Sequence, residues 1–248
     1  MPDLSLIAFA SAVLLLAGTV KGFIGLGMPT VALALLTLQI DARSAITLIL
    51  IPMLLSNVWQ FWRGPDMREC AKQHWRFAAI LALFVAATVW FSQTAPDRLL
   101  RAVLGVFVLV FCFVSWRNFV PPIPARRVRL FETISAVIAG LVGGLTAAWA
   151  PPLAMYLTGL RLERDAFVQA LGFLISAGSV SVLISFIAVG HSSTPDLVIS
   201  AFLLAPTLVG FSVGERMRHR SDPEQFKTIF LSAFAVLGIY LVFGTFLD

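Results

Sequence analysis

The sequence predicts an all-α polytopic membrane protein made of two inverted repeats. Of its 248 residues, 59% are hydrophobic and only 12% are charged, whereas soluble domains carry roughly 25% charged residues. Apolar runs long enough to cross a bilayer recur from one end of the chain to the other. Almost no sequence remains for an aqueous catalytic domain. We therefore predict that the protein is not an enzyme and has no catalytic residues, no cofactor and no metal site.

Eight apolar segments are predicted, at residues 4–37, 44–62, 75–92, 99–116, 131–159, 167–190, 197–213 and 228–247. The first and the fifth are too long for a single crossing, and both are interrupted by glycine and proline. The longest linker, "RNFVPPIPARRVRL", contains prolines that disfavour helix. We therefore divide the chain into repeat 1 over 1–117, a cytoplasmic linker over 118–130 and repeat 2 over 131–248.

The two interrupted segments match each other at a single offset. A shift of 122 residues aligns "GTVKGFIGLGMPTVALALL" with "GLVGGLTAAWAPPLAMYLT", so that Gly18 meets Gly140 and Pro29 meets Pro151. With a further gap of five residues, "APDRLLRAVLG" aligns with "DPEQFKTIFLS". Matched helix breakers are more informative than matched apolar residues, and they indicate an internal duplication.

The charges of the loops predict an orientation. Loops 63–76, 117–130 and 214–227 each carry four Lys or Arg residues, whereas loop 37–43 carries one and loop 190–196 carries none. The positive-inside rule places the first three in the cytoplasm. Segment 131–159 then enters and leaves the membrane on the cytoplasmic side, as a re-entrant or discontinuous helix. By the repeat, segment 4–37 enters and leaves on the outer side. Both termini are then predicted to be periplasmic. The alternative is eight simple crossings with parallel halves.

Each repeat is thus predicted to contain one broken helical segment followed by three transmembrane helices. Irregular backbone at membrane depth is tolerated where it lines a cavity or is packed in protein, and paired breaks of this kind mark transport sites. The N-termini of the restarting half-helices favour anions, and proline suits the first turn. We expect the second segment to turn near Gly143, Gly144 and Thr146.

Lys21 is the most informative polar residue, because a cation in an apolar run is costly. Structural pairing or snorkelling of Lys21 to the interface is the alternative explanation. Small polar residues in spans more often join helices than bind substrate. The residues predicted to bind substrate are Lys21, Gly22, Gly25, Gly27, Pro29, Asn57, Gly143, Gly144, Thr146, Pro151, Gln169, Ser176 and Ser179.

Other features fit a membrane carrier. The net charge of +5 is interpreted as basic cytoplasmic loops, not as nucleic-acid binding. Cys70 and Cys112 fit neither a metal site nor a disulfide framework. Trp59 is predicted to be an interfacial belt residue, and Trp149 either lines a pocket or anchors the interface. The expected partners are a small anionic substrate and the lipid bilayer, and a homo-oligomer is possible.

The sequence resembles the TauE/SafE family, the sulfite exporters, in "GTVKGFIGLGMPTVALALL" and "AGLVGGLTAAWAPPLAMYLTG" and in its length and repeat. The resemblance implies export of small sulfur-containing anions such as sulfite or organosulfonates. From this resemblance together with the paired breaks, we predict a secondary transporter of the bacterial inner membrane that works by alternating access. The sequence departs from the family at Ala147–Ala150, where members often have glycines. An anion channel, or a transporter of a non-sulfur small anion, is the alternative.

Overall fold

The computed structural model describes residues 4–25, 27–117, 120–218 and 223–247 of the chain. All regular structure in these ranges is helical. The helices are α1 (Leu4–Ile24), α2 (Met28–Leu36), α3 (Ala42–Trp62), α4 (Met67–Phe91), α5 (Asp97–Arg117), α6 (Val128–Thr146), α7 (Ala150–Gly159), α8 (Arg164–Ala188), α9 (Thr194–Phe202), α10 (Leu204–Arg218) and α11 (Pro223–Leu247), with a short 3₁₀ turn at Ala125–Arg127 before α6.

The chain is a multi-pass membrane protein. Within the described residues, six helical stretches are long and apolar enough to cross a bilayer, and they are Leu4–Phe23, Ala42–Trp62, Met67–Phe91, Ala125–Thr146, Arg164–Ala188 and Thr194–Met217. Many of their large apolar side chains are exposed, including Leu83, Ile184 and Val209. Such exposure is expected of side chains that face lipid.

Several boundaries differ from those predicted. Helix α4 begins at Met67, within the predicted loop 63–76. The chain turns at residues 147–149, because α6 continues through Gly143 and Gly144 and ends at Thr146. Helix α6 also begins at Val128, inside the predicted linker. The predicted span 197–213 is two helices that meet at Leu203. Pro206 explains this interruption, because it has no N–H for the carbonyl four residues earlier and its ring crowds that carbonyl. The predicted basic loop 214–227 lies partly outside the described residues, at 219–222.

Helices from the two halves pack against each other in matching pairs. Helix α1 packs along α10 and α6 packs along α4, while α3 packs on α8 and α5 on α11. The α1–α10 contact is close because glycines line both helices. A Cβ atom at Gly18 would lie 2.2 Å from the Thr207 carbonyl oxygen, and one at Gly210 would lie 2.0 Å from the Leu15 carbonyl oxygen. Small residues spaced four apart permit such approach in membranes.

Hydrogen bonds join three turns at one end of the molecule, which we name end A. The Asp97 carboxylate accepts a hydrogen bond from the Ala42 N–H at 2.7 Å. Arg43 donates to three carbonyls of the α4–α5 turn. The hydroxyls of Thr47 and Ser192 lie 2.9 Å apart, which brings the α8–α9 turn to the same end.

The opposite end, end B, holds the α3–α4 turn, the start of α8, the linker before α6 and the end of α7. Gln169, near the start of α8, donates to the Phe61 carbonyl oxygen at 3.1 Å. The Ile123 N–H, in the linker before α6, donates to the Gly159 carbonyl oxygen at the end of α7, at 2.9 Å. The linker that precedes α6 and the end of α7 therefore lie together at end B.

Candidate anion site

Lys21 lies in the last turn of α1 and is only 3% exposed. Its Nζ donates to Ser56 Oγ at 3.0 Å and to Asn57 Oδ1 at 2.9 Å. Asn57 is itself oriented by a 2.7 Å hydrogen bond from Nδ2 to the Met53 carbonyl oxygen. Within the described residues, no carboxylate forms an ion pair with Lys21. A buried cation with two neutral partners is incompletely compensated and attracts an anion.

Lys21 lines a cavity of about 520 Å³ at end B. Two further cations, Arg63 and Arg164, line the same cavity, together with the carboxylates Asp165 and Glu215. The other lining residues are Gly22, Gly25, Trp59, Gln60, Gly64, Pro65, Val168 and Phe211. The charged groups therefore comprise three cations and two anions, and the cavity is suited to a small anion.

The cavity also contacts the break between α1 and α2. Gly25 and Gly27 have φ angles of 90° and 91°, in the left-handed region that glycine adopts at no steric cost. The Gly25 N–H donates to the Lys21 carbonyl oxygen at 2.7 Å and closes α1. Helix α2 then begins after Gly27, which supplies no side-chain cap, with Pro29 in its first turn. The buried Thr30 hydroxyl has no hydrogen-bond partner within the described residues.

The second break is filled by Trp149. Its side chain is 1% exposed and lies against Gly143 of α6 and Gly178 of α8. Ala147 takes the left-handed backbone conformation, with φ 50°, and Pro151 lies in the first turn of α7. Trp149 is thus a buried side chain between helices.

The remaining predicted site residues make intramolecular contacts. The hydroxyls of Thr146, Ser176 and Ser179 donate to the carbonyl oxygen four residues earlier, at 2.9, 2.6 and 2.7 Å. Gly144 packs against Thr88 of α4. Gln169 joins α8 to the α3–α4 turn. Of the thirteen predicted residues, Lys21, Gly22 and Gly25 line the cavity at end B, and Asn57 contacts it through Lys21.

A much smaller cavity, of about 10 Å³, lies at end A. Several of its lining residues align with those of the 520 Å³ cavity at the 122-residue shift. Gly144 aligns with Gly22, Arg43 with Asp165, Ile46 with Val168, and Phe186 with Gly64. The two cavities therefore share four aligned lining positions, and one is open while the other is nearly closed. A third cavity, of about 1010 Å³ at end A, has a mainly apolar lining without Lys or Arg.

Sequence reasoning missed Trp59, Gln60, Arg63, Arg164, Asp165 and Glu215 as cavity residues. Arg63 and Arg164 stand beside predicted span ends, where basic residues are expected for reasons of topology alone. Trp59, predicted to be a belt residue, lines the cavity with the Arg63 guanidinium carbon 5.8 Å from the centre of its ring. The sequence feature that could have identified them is the four-residue spacing of Trp59 and Arg63, which places both on one side of α3.

A multi-pass helical fold with a buried, uncompensated lysine in a polar cavity is the architecture of a membrane transport protein. The family model described as "Sulfite exporter TauE/SafE" matches residues 10–241. The chain therefore belongs to the TauE/SafE family, and its membership indicates a membrane exporter of sulfite or related sulfur anions. Comparison with curated proteins gave no match, and comparison with solved structures gave none.

Proposed function

We propose that this protein is a secondary transporter that exports small sulfur-containing anions, such as sulfite and organosulfonates, by alternating access. The anion binds at Lys21, on the floor of the cavity at end B. The observation that carries this proposal is the Lys21 ammonium, which is buried with Ser56 and Asn57 as its neutral partners. A sulfur oxyanion supplies the missing charge and several acceptor oxygens.

The surroundings of Lys21 favour an anion as well. Arg63 and Arg164 attract anions into the cavity, and Asp165 and Glu215 limit the excess charge so that the anion can leave again. The small excess of three cations over two carboxylates suits reversible binding of an anion.

An inverted repeat is supported by the packing pairs and by the ends of the helices. Exchanging the halves turns the α1–α10 contact into the α6–α4 contact and leaves α3–α8 and α5–α11 unchanged. The linker before α6 meets the end of α7 at end B. In the first half, Leu6 and Ile7 near the start of α1 share a cavity with Ile40, after α2, at end A. Each hairpin thus starts and finishes at its own end, as an inverted pair requires.

The basic loops 63–76 and 117–130 belong to end B, so we assign end B to the cytoplasm. End A and both termini then face the periplasm of a bacterial inner membrane. The open cavity faces the cytoplasm, which is the side from which an exporter loads. Its counterpart at end A is too small to hold an anion. This closed counterpart favours a carrier over an anion channel, which needs one continuous path.

Counterflow of labelled sulfite in proteoliposomes tests the proposal. We expect saturable exchange that is competed by sulfonates and thiosulfate better than by carboxylates or phosphate. Lys21→Met should abolish exchange, whereas Lys72→Met, which removes an exposed lysine from α4, should leave it unchanged. Full exchange in Lys21→Met would refute the site. Competition by carboxylates alone would refute the sulfur-anion specificity.

A further inference from the structure

The indole N–H of Trp149 is a buried donor without an acceptor. Its Nε1 makes no hydrogen bond within the described part of the chain. The ring fits only because its neighbours lack side chains: a Cβ atom at Gly143 would lie 1.7 Å from Nε1, and one at Gly178 would lie 3.0 Å from Cζ2. Burying a donor unpaired is destabilising, and a native protein that keeps such a group needs a reason for it.

The surroundings of Trp149 match those of Lys21 in the other half. The 122-residue shift aligns Lys21 with Gly143, Ser56 with Gly178 and Asn57 with Ser179. The space in which Lys21 meets Ser56 in the first half is therefore occupied by the indole in the second half. One half holds a cation without a counter-ion, and the other holds an N–H without an acceptor. An oxyanion satisfies both.

Trp149 lies just beyond the last turn of α6, which ends at Thr146. Gly144 and Leu145 of that turn line the closed cavity at end A, while Lys21 lines the open one at end B. An anion that moves from Lys21 into the cavity at end A therefore approaches the segment that carries the indole.

We propose that Trp149 is a second substrate contact, which donates its Nε1–H to the sulfur oxyanion as end A opens and the anion leaves Lys21. This inference rests on the proposed function and adds a specificity-determining residue to the same route. It assigns different tasks to the two halves: Lys21 determines affinity from the cytoplasmic side, and Trp149 determines the rate of passage to the outside.

The test compares variants that differ in the donor. Trp149→Phe keeps an aromatic ring without an N–H, and Trp90→Phe is the matched control because Trp90 is an exposed side chain of α4. We expect Trp149→Phe to bind sulfite in detergent within twofold of the unchanged protein. Its counterflow should be slower than that of Trp90→Phe by about tenfold or more, as expected for a lost hydrogen bond to a charged group.

A second pair separates the donor from the ring. Trp149→His restores an N–H donor, and Trp149→Leu has a similar volume to histidine without a donor. Faster counterflow in Trp149→His than in Trp149→Leu supports the proposal. This pair also serves if Trp149→Phe is not recovered as folded protein. Equal rates in this pair, or a Trp149→Phe rate equal to that of Trp90→Phe, would overturn it. Normal counterflow in Lys21→Met would instead refute the proposed function, so the two failures are distinguishable.

Discussion

The break at Gly25 and Gly27 aligns with the break at residues 147–149 at the 122-residue shift, but the two differ in what fills them. In the first, Lys21 extends to Ser56 and Asn57, and a cavity of about 520 Å³ lies beside it. In the second, Gly143 leaves room for Trp149, and the matching cavity measures about 10 Å³. The two aligned breaks are therefore unlike: a buried lysine and an open cavity accompany the first, and a buried indole and a nearly closed cavity accompany the second.

This difference distinguishes the residues of a break that are needed for helix packing from those that we propose contact the ligand. The glycines before each break serve packing, since Gly22 and Gly144 both press against a helix of the other half. In our proposal the ligand chemistry comes from one residue per half, Lys21 in the first and Trp149 in the second. Exchanging side chains at architectural positions should affect folding, and exchanging them at the chemical positions should affect binding.

The largest effect is expected for Gly22→Leu and Gly144→Leu. A Cβ atom at Gly22 would lie 2.1 Å from the Phe211 carbonyl oxygen, and one at Gly144 would lie 2.6 Å from Thr88 Cβ. Both variants should therefore fail to give monodisperse folded protein in size-exclusion chromatography. Gly25→Ala is the control, because nothing lies within 4 Å of its Cβ position, and it should cost only the left-handed strain of about 1–2 kcal/mol. A folded Gly22→Leu protein would contradict the architectural role.

Asn57→Asp should have the next largest effect, because it places a carboxylate beside Lys21 Nζ. The internal ion pair would compete with the substrate, and sulfite affinity should fall on the order of 100-fold, equivalent to about 3 kcal/mol for separating a buried pair. Ser179→Asp changes the residue that aligns with Asn57, in the half where Gly143 aligns with Lys21. It should lower thermal stability, since its carboxylate gains no cation there. Equal changes in sulfite affinity and in thermal stability for the two variants would contradict the proposed difference between the two halves.

Arg43→Met should open the closed cavity at end A. The Arg43 guanidinium donates to the carbonyls of Ser92, Gln93 and Ala95 at 2.9, 3.2 and 2.8 Å, and its counterpart at the open cavity is Asp165. The labelling rate of a cysteine at Leu145, measured with a membrane-impermeant maleimide from the periplasmic side, should rise about tenfold, the equivalent of one charged hydrogen bond. Arg98→Met, which removes an exposed charge at the same end, should leave the rate unchanged. An unchanged rate in Arg43→Met would show that other contacts close end A.

The smallest effect concerns the caps of α3 and α8. Burial alone would raise the pKa of the Asp41 carboxyl. Hydrogen bonds from the Ser44 side chain and from nearby backbone N–H groups lower it by more than burial raises it, so the pKa lies below its usual 3.8. Its contribution is therefore present above that pH and is lost as the pH falls through the lower folded value. Asp41→Asn should remove this acid dependence, worth about 1 kcal/mol or less.

The matched control for that cap is Glu163→Gln, because Glu163 precedes α8 without a side-chain cap hydrogen bond. Thermal unfolding in detergent between about pH 3 and pH 5 measures both variants. A steeper acid dependence in Asp41→Asn than in the unchanged protein would contradict the sign.

Composition and the glycine- and proline-interrupted apolar segments were enough to predict the helical class and the family resemblance, because both can be identified without knowing which helices are in contact. The position of the second turn was not predictable to the residue, since Gly143 and Gly144 look like breakers. They are instead helical residues that admit Trp149 and Thr88. Whether a glycine breaks a helix or admits a neighbouring side chain depends on which helix packs against it, and the local sequence does not specify that neighbour.

The candidate site was predictable in part for a similar reason. A lysine in an apolar run is conspicuous in isolation, so Lys21 and its neighbour Gly22 were found. Arg63 and Arg164 were not, because basic residues at span ends normally report orientation. Only the packing of α3 on α8 brings these two guanidinium groups to the Lys21 cavity.

The most direct test of the central claim is calorimetric titration of sulfite into the purified protein and into Lys21→Met at low ionic strength. The account predicts saturable one-to-one binding to the unchanged protein, no measurable binding to Lys21→Met, and equal or higher thermal stability of that variant, since it no longer buries an uncompensated charge. Unchanged sulfite affinity in folded Lys21→Met would contradict it and return Lys21 to a structural role.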